Sequence, residues 1–305
     1  MTHNDTVGIL MATYNGAKYI KEQLDSIICQ TYENWILYIS DDGSSDDTLS
    51  ILYEYERKDN RIHVEQSLHR GACGNFAQLI NKYGSLFNYL MFCDQDDVWK
   101  ENKVKLSFEN MKQRENELGN KPIMVFCRKK IVNSNLKEID KENLDMRTDF
   151  HSILLQNPIY GCTMMLNKSA IEIATPIPLY ATNHDHWIAL KLSLCGNIYL
   201  INKELILYRQ HNNNVTGGMN NYGVLNKIKK WNIVNEEIKK MLIMSYKFCK
   251  CNNENVVAQS YIKMIECKKN IILKMHNIHK YKIQLNNRLA TVRIKYVLYF
   301  KMGNF

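Results

Sequence analysis

Short apolar runs alternate with amphipathic segments over the first hundred residues of the chain. The runs are nearly uninterrupted, which is typical of strands covered on both faces of a sheet, and they occupy 7–12, 35–39, 62–65 and 89–93. Between them, apolar residues recur at helical spacing and predict helices over 17–30, 48–57 and 71–82. This alternation predicts an α/β fold with a Rossmann-like, mostly parallel sheet and helices on both faces.

The pattern becomes less regular after residue 100. Helices are predicted over 101–117 and 183–195, with strands over 124–126, 162–166 and 198–207. Residues 127–140 resemble an irregular hairpin with a turn at Asn133-Ser134-Asn135. Beyond residue 222 the spacing is helical throughout. We therefore divide the chain into 1–105 and 106–220, as two halves of one domain, and a helical region over 221–305.

Charge separates the last region from the rest. The net charge is +9, but residues 221–305 carry 17 Lys and Arg against 4 Asp and Glu. Apolar positions such as Trp231 and Leu242 would pack these helices against the preceding domain. The basic faces would then be either solvated or attracted to an anionic membrane surface. We expect no nucleic-acid binding, because the charges form no recognised motif.

The remaining composition indicates a cytoplasmic protein. The start of the chain is polar and no stretch of about 18 apolar residues occurs, so neither a signal peptide nor a spanning helix is expected. The nine cysteines form no CxxC pair and are interpreted as reduced thiols. With the basic helices, the expected location is the cytoplasm, at the inner face of the cytoplasmic membrane.

Polar side chains follow three of the predicted strands. Thr13-Tyr14-Asn15, Asp41-Asp42 and Asp94-Gln95-Asp96 each stand where a strand ends. Because ligands bind beyond the carboxyl ends of parallel strands, these clusters are expected to meet at one edge of the sheet.

Asp94 and Asp96 alternate along an extended chain and can point the same way. Two carboxylates at a buried strand end are costly unless a cation lies between them, and such oxygens suit Mg²⁺ or Mn²⁺. The alternative is a solvated acidic turn in which Asp97 caps the following helix.

Five motifs, taken in order, resemble family 2 glycosyltransferases of the GT-A fold. They are TYNGAKYIKEQLDSIICQTY from Thr13, SDDGSSDDT from Ser40, DQDDVW from Asp94, HDHW from His184 and YRQHNNNVTG from Tyr208. The resemblance covers about Val7 to Gly217. In detail the chain is similar to bacterial rhamnosyltransferases of surface polysaccharide synthesis.

The resemblance implies a nucleotide-binding role for the strand-end residues. In the family, the loop matched by Thr13, Tyr14 and Asn15 packs on the base and ribose. The acidic pair matched by Asp41 and Asp42 approaches the base. Tyr14 could instead be a core aromatic, and Asp41 and Asp42 could form an Asx turn with Gly43.

The resemblance also implies the metal ligands and the base. Asp94 and Asp96 match the DxD motif, in which the last Asp binds Mn²⁺ or Mg²⁺ and the first faces the ribose or the metal. His211 matches a histidine near the metal, although it could be a surface residue. Asp185 matches the catalytic base, although it could cap a helix. Many relatives have Glu where this chain has His184, which leaves the role of His184 open.

The implied activity is that of an inverting, metal-dependent glycosyltransferase. Residues 1–105 would bind a dTDP- or UDP-linked sugar, with L-rhamnose as one candidate. Residues 106–220 would bind a polysaccharide or lipid-linked oligosaccharide acceptor. Two alternatives remain: a sugar-nucleotidyltransferase, and a non-catalytic basic module that binds membrane or nucleic acid. The first usually carries a Gly-rich basic loop after its first strand, which Thr13-Tyr14-Asn15-Gly16 does not resemble.

Overall fold

The computed structural model describes residues 5–67, 70–140, 142, 146–211, 224–266 and 294–298, with the side chains of 224–230 left aside. The chain forms two compact units. The first contains Met1–Glu142 and Ile159–Met219, and the second contains Asn143–Pro158 and Asn220–Phe305. Residues Asn143–Pro158, which the sequence pattern grouped with 106–220, thus cluster with the C-terminal residues.

One sheet forms the centre of the first unit. In the part of the chain that the structure describes, it has nine strands: β1 (Val7–Thr13), β2 (Trp35–Asp41), β3 (Ile62–Gln66), β4 (Tyr89–Cys93), β5 (Val98–Trp99), β6 (Ile123–Val132), β7 (Glu138–Asp140), β8 (Met164–Asn167) and β9 (Asn197–Arg209). Their order is β3-β2-β1-β4-β8-β6-β9-β5, and β7 pairs with β6. The first four pair in parallel, β8 is antiparallel to both neighbours, and β6 and β9 are parallel. The predicted mostly parallel sheet is confirmed.

Helices cover this sheet because their apolar residues share one face. The helices of the first unit are α1 (Ile20–Ile28), α2 (Thr48–Lys58), α3 (Gly71–Tyr83), α4 (Lys103–Leu118), α6 (Lys168–Ala174) and α7 (His184–Cys195). On α1, Ile20, Leu24 and Ile27 have no exposed surface. Their spacing of three to four residues places them on the face that packs against the sheet.

The second unit is helical in its described part. Its helices are α5 (Phe150–Leu155), α8 (Val224–Cys251) and α9 (Val256–Glu266). Leu242 and Phe248 on α8 are buried, and the Tyr261 hydroxyl of α9 donates to the Leu242 carbonyl at 3.2 Å. None of the helices described is both long and apolar enough to cross a bilayer. The helical pattern predicted over 267–293 lies outside the described residues.

Several elements differ from the sequence pattern. β6 runs to Val132, beyond the three residues predicted, with register shifts next to Arg128. The Asn133 turn is present, since its side chain accepts from the backbone N–H groups of Asn135 and Lys137. β5, α5 and α6 were not predicted, because elements of two to seven residues are too short to show a period.

Asn167 joins three elements of the first unit. This buried side chain caps α6 by accepting from the Ala170 N–H at 3.0 Å. The same oxygen accepts from the Ile123 N–H at 2.9 Å, and the amide nitrogen donates to the Lys121 carbonyl at 2.9 Å. One side chain therefore accepts hydrogen bonds from backbone N–H groups at the start of β6 and at the start of α6.

We expect Asn167→Ala to lower the free energy of unfolding of the first unit by about 2–4 kcal/mol. Loss of a cap costs about 1 kcal/mol, and an unsatisfied buried N–H at Ile123 adds about 1–3 kcal/mol. Denaturant unfolding followed by tryptophan fluorescence measures the change, with Asn120→Ala at an exposed position as the control. Equal stability of the two variants would contradict this role of Asn167.

Candidate active site

A cavity of about 550 Å³ opens at the carboxyl ends of β1, β2 and β4. Six of the predicted site residues line it: Thr13, Tyr14, Asp42, Asp94, Asp96 and Asp185. The other lining residues are Ala12, Gly71, Ala72, Cys73, Asn75, Phe76, Gln95, Tyr160, Gly161, Asn183, His184 and Tyr208. The three polar clusters that the sequence placed at strand ends therefore meet at one edge of the sheet.

Gln95 connects the loop after β1 with the loop after β4. Its side chain accepts from the Tyr14 N–H at 2.9 Å and donates to the Tyr14 carbonyl at 3.0 Å. Gly16 leaves room for this amide, because a Cβ at that position would collide with it. The Tyr14 ring remains 53% exposed and lies at the cavity wall, so it is not the core aromatic of the alternative interpretation.

Asp41 does not line the cavity but fixes the residues that form its wall. It is completely buried and accepts from the N–H groups of Gly43 and Ser44 and from the Thr13 hydroxyl. The Asx turn considered above is therefore present at Asp41. Asn15, with φ of 48°, accepts from the Ser45 N–H and likewise shapes the loop.

Asp42 lines the cavity and also holds the start of α3. Its carboxylate accepts from the Ser67 hydroxyl at 2.8 Å and from the N–H groups of Arg70 and Gly71, both at 2.7 Å. Gly71 has φ of 70°, a left-handed conformation that glycine adopts without strain. Asp42 is thus fixed in one orientation at the edge of the cavity.

Three carboxylates crowd together after β4. Burial and the neighbouring charge of Asp96 raise the pKa of Asp94 to about 7. Burial also raises the pKa of Asp96, and it raises the pKa of Asp97 well above its ordinary value. Asp97 is completely buried and accepts from the Arg209 N–H at 3.0 Å, so it does not act as the helix cap considered above.

His211 reaches the same group of carboxylates. Its Nε2 lies 2.8 Å from Asp96 Oδ2, and the imidazole opposes the rise in the pKa of Asp96. The remainder of the YRQHNNNVTG motif, from Asn212 on, lies outside the described residues. His211 does not line the cavity itself but stands behind Asp96.

These residues fit a divalent cation. Ligand atoms of Asp94, Asp97 and Cys162 all lie within 4.8 Å of one another. Asp97 Oδ2 is buried and has no hydrogen-bond partner among the described residues. Asp94 is the member of this group that the sequence predicted as a ligand, and Asp96 with His211 stands beside it. Carboxylate oxygens with one imidazole suit Mn²⁺ or Mg²⁺, whose charge would add to that of the buried Lys103 ammonium, which already opposes the rise in the pKa of Asp94.

Asp185 lies across the cavity, in the first turn of α7. Its Oδ1 accepts from the His186 N–H at 2.6 Å, and its Oδ2 accepts from the Gly161 N–H at 3.3 Å. Asn183, not Asp185, occupies the cap position of α7, so the cap alternative for Asp185 does not apply. Trp187 is buried and donates to the Ala174 carbonyl, which makes it a core residue.

His184 is a neutral packing residue of the cavity wall. Its ring centroid lies 4.0 Å from that of Phe76 and 5.3 Å from that of Phe92. Burial lowers the pKa of His184 to about 3. Gly161 permits this arrangement, because a Cβ there would approach His184 Nε2 to 2.5 Å.

Two tyrosines of the cavity wall carry no role in the sequence-based prediction. Tyr160 and Tyr208 line the cavity with ring centroids 5.3 Å apart. Behind them, the buried Lys129 Nζ lies 2.7 Å from the Tyr160 centroid and 4.8 Å from the Tyr208 centroid. Burial lowers the pKa of Lys129 to about 8. Tyr208 begins the YRQH motif and could have been found, whereas Lys129 carries no sequence signal.

The pKa of Asp94 predicts how the metal-free protein responds to pH. A folded-state pKa above the ordinary value means that the ionised carboxylate destabilises the fold, so stability falls as pH rises from about 4 to about 7. In EDTA, Asp94→Asn should therefore be more stable than the natural chain by about 1–2 kcal/mol at about pH 8, and by much less at about pH 4.

Denaturant unfolding at the two pH values measures this difference. The matched control is the natural chain in excess Mn²⁺, which should recover part of the lost stability at the higher pH. A constant difference between variant and natural chain across this range would contradict the assigned cause.

Comparison with known proteins places the chain among glycosyltransferases. The sequence profile of the family described as "Glycosyl transferase family 2" matches residues 8–173, more than half of the chain. An uncharacterised glycosyltransferase of Rickettsia prowazekii is 27% identical over 220 residues, which are 68% of this chain and 65% of that protein. The chain therefore spans slightly less than two thirds of the length of that relative.

Two further relatives carry more specific names. A dTDP-rhamnosyl transferase of Shigella flexneri is 30% identical over 223 residues, covering 68% of this chain and 73% of that protein. A UDP-Glc:alpha-D-GlcNAc-diphosphoundecaprenol beta-1,3-glucosyltransferase of Escherichia coli is 25% identical over 242 residues, covering 79% and 89%.

Solved structures share the fold. S. aureus TarS in complex with UDP has a TM-score of 0.55 at 15% identity, covering 98% of this chain and 92% of that one. A Pyrobaculum calidifontis mannosyltransferase, in complex with GDP-Man and Mn²⁺, has a TM-score of 0.53 at 12% identity, covering 97% and 87%. The fold is that of GT-A glycosyltransferases, and on its sequence the chain belongs to glycosyl transferase family 2.

Proposed function

We propose that this protein is an inverting, metal-dependent glycosyltransferase that transfers a sugar from a nucleoside-diphosphate donor to a glycan. The observation that carries the proposal is the convergence of Asp42, the Asp94–Asp96 pair and Asp185 around one cavity. The first two groups lie at the carboxyl ends of parallel strands, where nucleotides bind in open α/β sheets. Asp185 faces them from a separate helix.

Residues after β1 and β2 form the nucleotide side of the cavity. Tyr14 offers an exposed ring for the base or ribose, and Thr13 and Asp42 offer polar atoms beside it. Asn15 and Asp41 contribute by fixing the two loops through the bonds described above. We assign Tyr14, Thr13 and Asp42 to direct nucleotide binding. Asn15 and Asp41 support nucleotide binding by setting the shape of the loops.

Asp94, Asp96 and His211 are the proposed metal ligands, and Asp94 would also face the ribose. A bound Mn²⁺ or Mg²⁺ supplies a positive charge that neutralises the diphosphate as it leaves. Burial raises the pKa of both Asp94 and Asp96, and the charge of Asp96 adds to the rise at Asp94, which supports a cation at this position. The Mn²⁺ named with the Pyrobaculum calidifontis mannosyltransferase agrees with this choice.

Asp185 is the proposed general base. Its carboxylate would take the proton of the acceptor hydroxyl while the hydroxyl oxygen bonds to the anomeric carbon and the bond from that carbon to the diphosphate breaks. A single displacement of this kind inverts the anomeric configuration. Two backbone N–H groups already hold the carboxylate in place at the cavity wall.

The names of two relatives support our proposal for the donor and acceptor classes. The name of the Shigella flexneri relative supports a dTDP-linked rhamnosyl donor, and UDP-linked sugars are the second candidate. The name of the Escherichia coli relative supports a lipid-linked glycan acceptor. Exposed lysines on α8 and α9, among them Lys240, Lys247 and Lys263, support attraction to the anionic membrane surface where such acceptors lie. The proposed location is therefore the inner face of the cytoplasmic membrane.

A donor screen tests the proposed function. Nucleoside diphosphates and their sugars, added with Mn²⁺, should raise the thermal unfolding temperature, because a ligand of the folded state stabilises it by mass action. We expect dTDP- or UDP-linked sugars to give the largest shift, and EDTA to reduce it. Asp96→Ala should lose the part of this temperature shift that depends on Mn²⁺. Full metal-dependent activity in that variant would contradict the metal assignment.

Asp185→Asn tests the base. The amide keeps the shape of the carboxylate but cannot accept the proton, so we expect kcat to fall by about 10²–10⁴-fold with donor binding unchanged. Transfer to a glycan acceptor and donor affinity are measured separately. Asp140→Asn, at an exposed position on β7, is the matched control. A loss of less than about tenfold would contradict general base catalysis by Asp185.

A further inference from the structure

The start of α1 contacts the end of β9 beside the carboxylates. The Tyr19 ring stacks on the His211 imidazole, with centroids 4.7 Å apart and planes 29° from parallel. The Arg209 guanidinium carbon lies 4.5 Å from the centroid of the same tyrosine ring. Tyr19 is only 8% exposed, so its ring is held by the surrounding protein and can hold His211 in turn.

Arg209 fixes the backbone on which His211 stands. Its Nε donates to the Asp96 carbonyl at 2.7 Å, and its backbone N–H donates to the Asp97 carboxylate. Its Nη2 donates to Glu22 of α1 at 2.6 Å, and its Nη1 donates to the Ser134 carbonyl. The end of β9, the loop after β4 and the first turn of α1 are therefore bound together.

We infer that Tyr19 is a positioning residue that holds the His211 imidazole at Asp96 for metal binding. This inference rests on the proposed function, which makes both groups metal ligands. A histidine just beyond the end of a strand would otherwise sample several side-chain rotamers, at an entropic cost on each binding event. Stacking selects one ring orientation and leaves Nε2 2.8 Å from Asp96 Oδ2.

A purely structural role for Tyr19 gives different expectations. As a buried aromatic, it would contribute to stability, and its removal would leave the metal affinity of the folded protein unchanged. As a positioning residue it affects metal binding only through His211. Supporting residues of this kind typically change metal affinity by about 10–100-fold when removed.

Mn²⁺ binding to the full chain without donor, followed by electron paramagnetic resonance, separates the two roles. Tyr19→Leu keeps an apolar side chain but removes the ring, and should weaken Mn²⁺ binding by about tenfold. Tyr19→Phe keeps the ring and should bind Mn²⁺ within about twofold of the natural chain. Tyr53→Leu, at a tyrosine on α2 that is 36% exposed, is the matched control and should not change the affinity.

A double-mutant cycle completes the test. His211→Ala should weaken Mn²⁺ binding by about tenfold or more, and adding Tyr19→Leu to it should change the affinity by less than about twofold. Unchanged affinity in Tyr19→Leu, or additive effects in the double variant, would overturn the inference and leave the metal assignment intact. Unchanged affinity in His211→Ala would instead overturn the assignment of His211 as a ligand.

Discussion

The burial of carboxylates that stand close together is the constraint on which this site depends. Asp94, Asp96 and Asp97 follow a completely buried strand, and burial opposes ionisation of each of them. The protein offsets this cost with the imidazole of His211 and with the backbone N–H of Arg209. The buried Lys103 ammonium supplies further positive charge. Among the described residues Asp97 Oδ2 still has no hydrogen-bond partner, so this place favours an additional cation.

The surrounding structure keeps these groups rigid. Gln95 ties the acidic loop to the loop after β1, and Asp41 ties that loop in turn to the end of β2. Arg209 ties the acidic loop to β9 and α1. The bonds of Asp41 and Arg209 are buried or partly buried, whereas those of Gln95 are exposed. Together they form the cavity before any ligand enters, which lowers the ordering cost of binding.

The two walls of the cavity differ in character. The side built from β1, β2 and β4 is polar and is arranged by hydrogen bonds between loops. The opposite side, which carries Asp185, is built by close packing of His184, Gly161 and the tyrosines Tyr160 and Tyr208. The proposed base is held among packed rings and is partly shielded from water, whereas the open and polar side suits the charged donor that we propose.

The sequence by itself determined the alternation of strands and helices, the parallel pairing of the first half, and the meeting of strand-end residues at one edge. Those features follow from local periodicity and from the geometry of parallel sheets. Only the tertiary structure decided that Asp41 supports a loop while Asp42 lines the cavity, that Asp97 is buried, and that Lys129 lies behind two tyrosines. Such assignments depend on contacts between residues far apart in the chain, and the spacing of residues along a sequence carries no record of them.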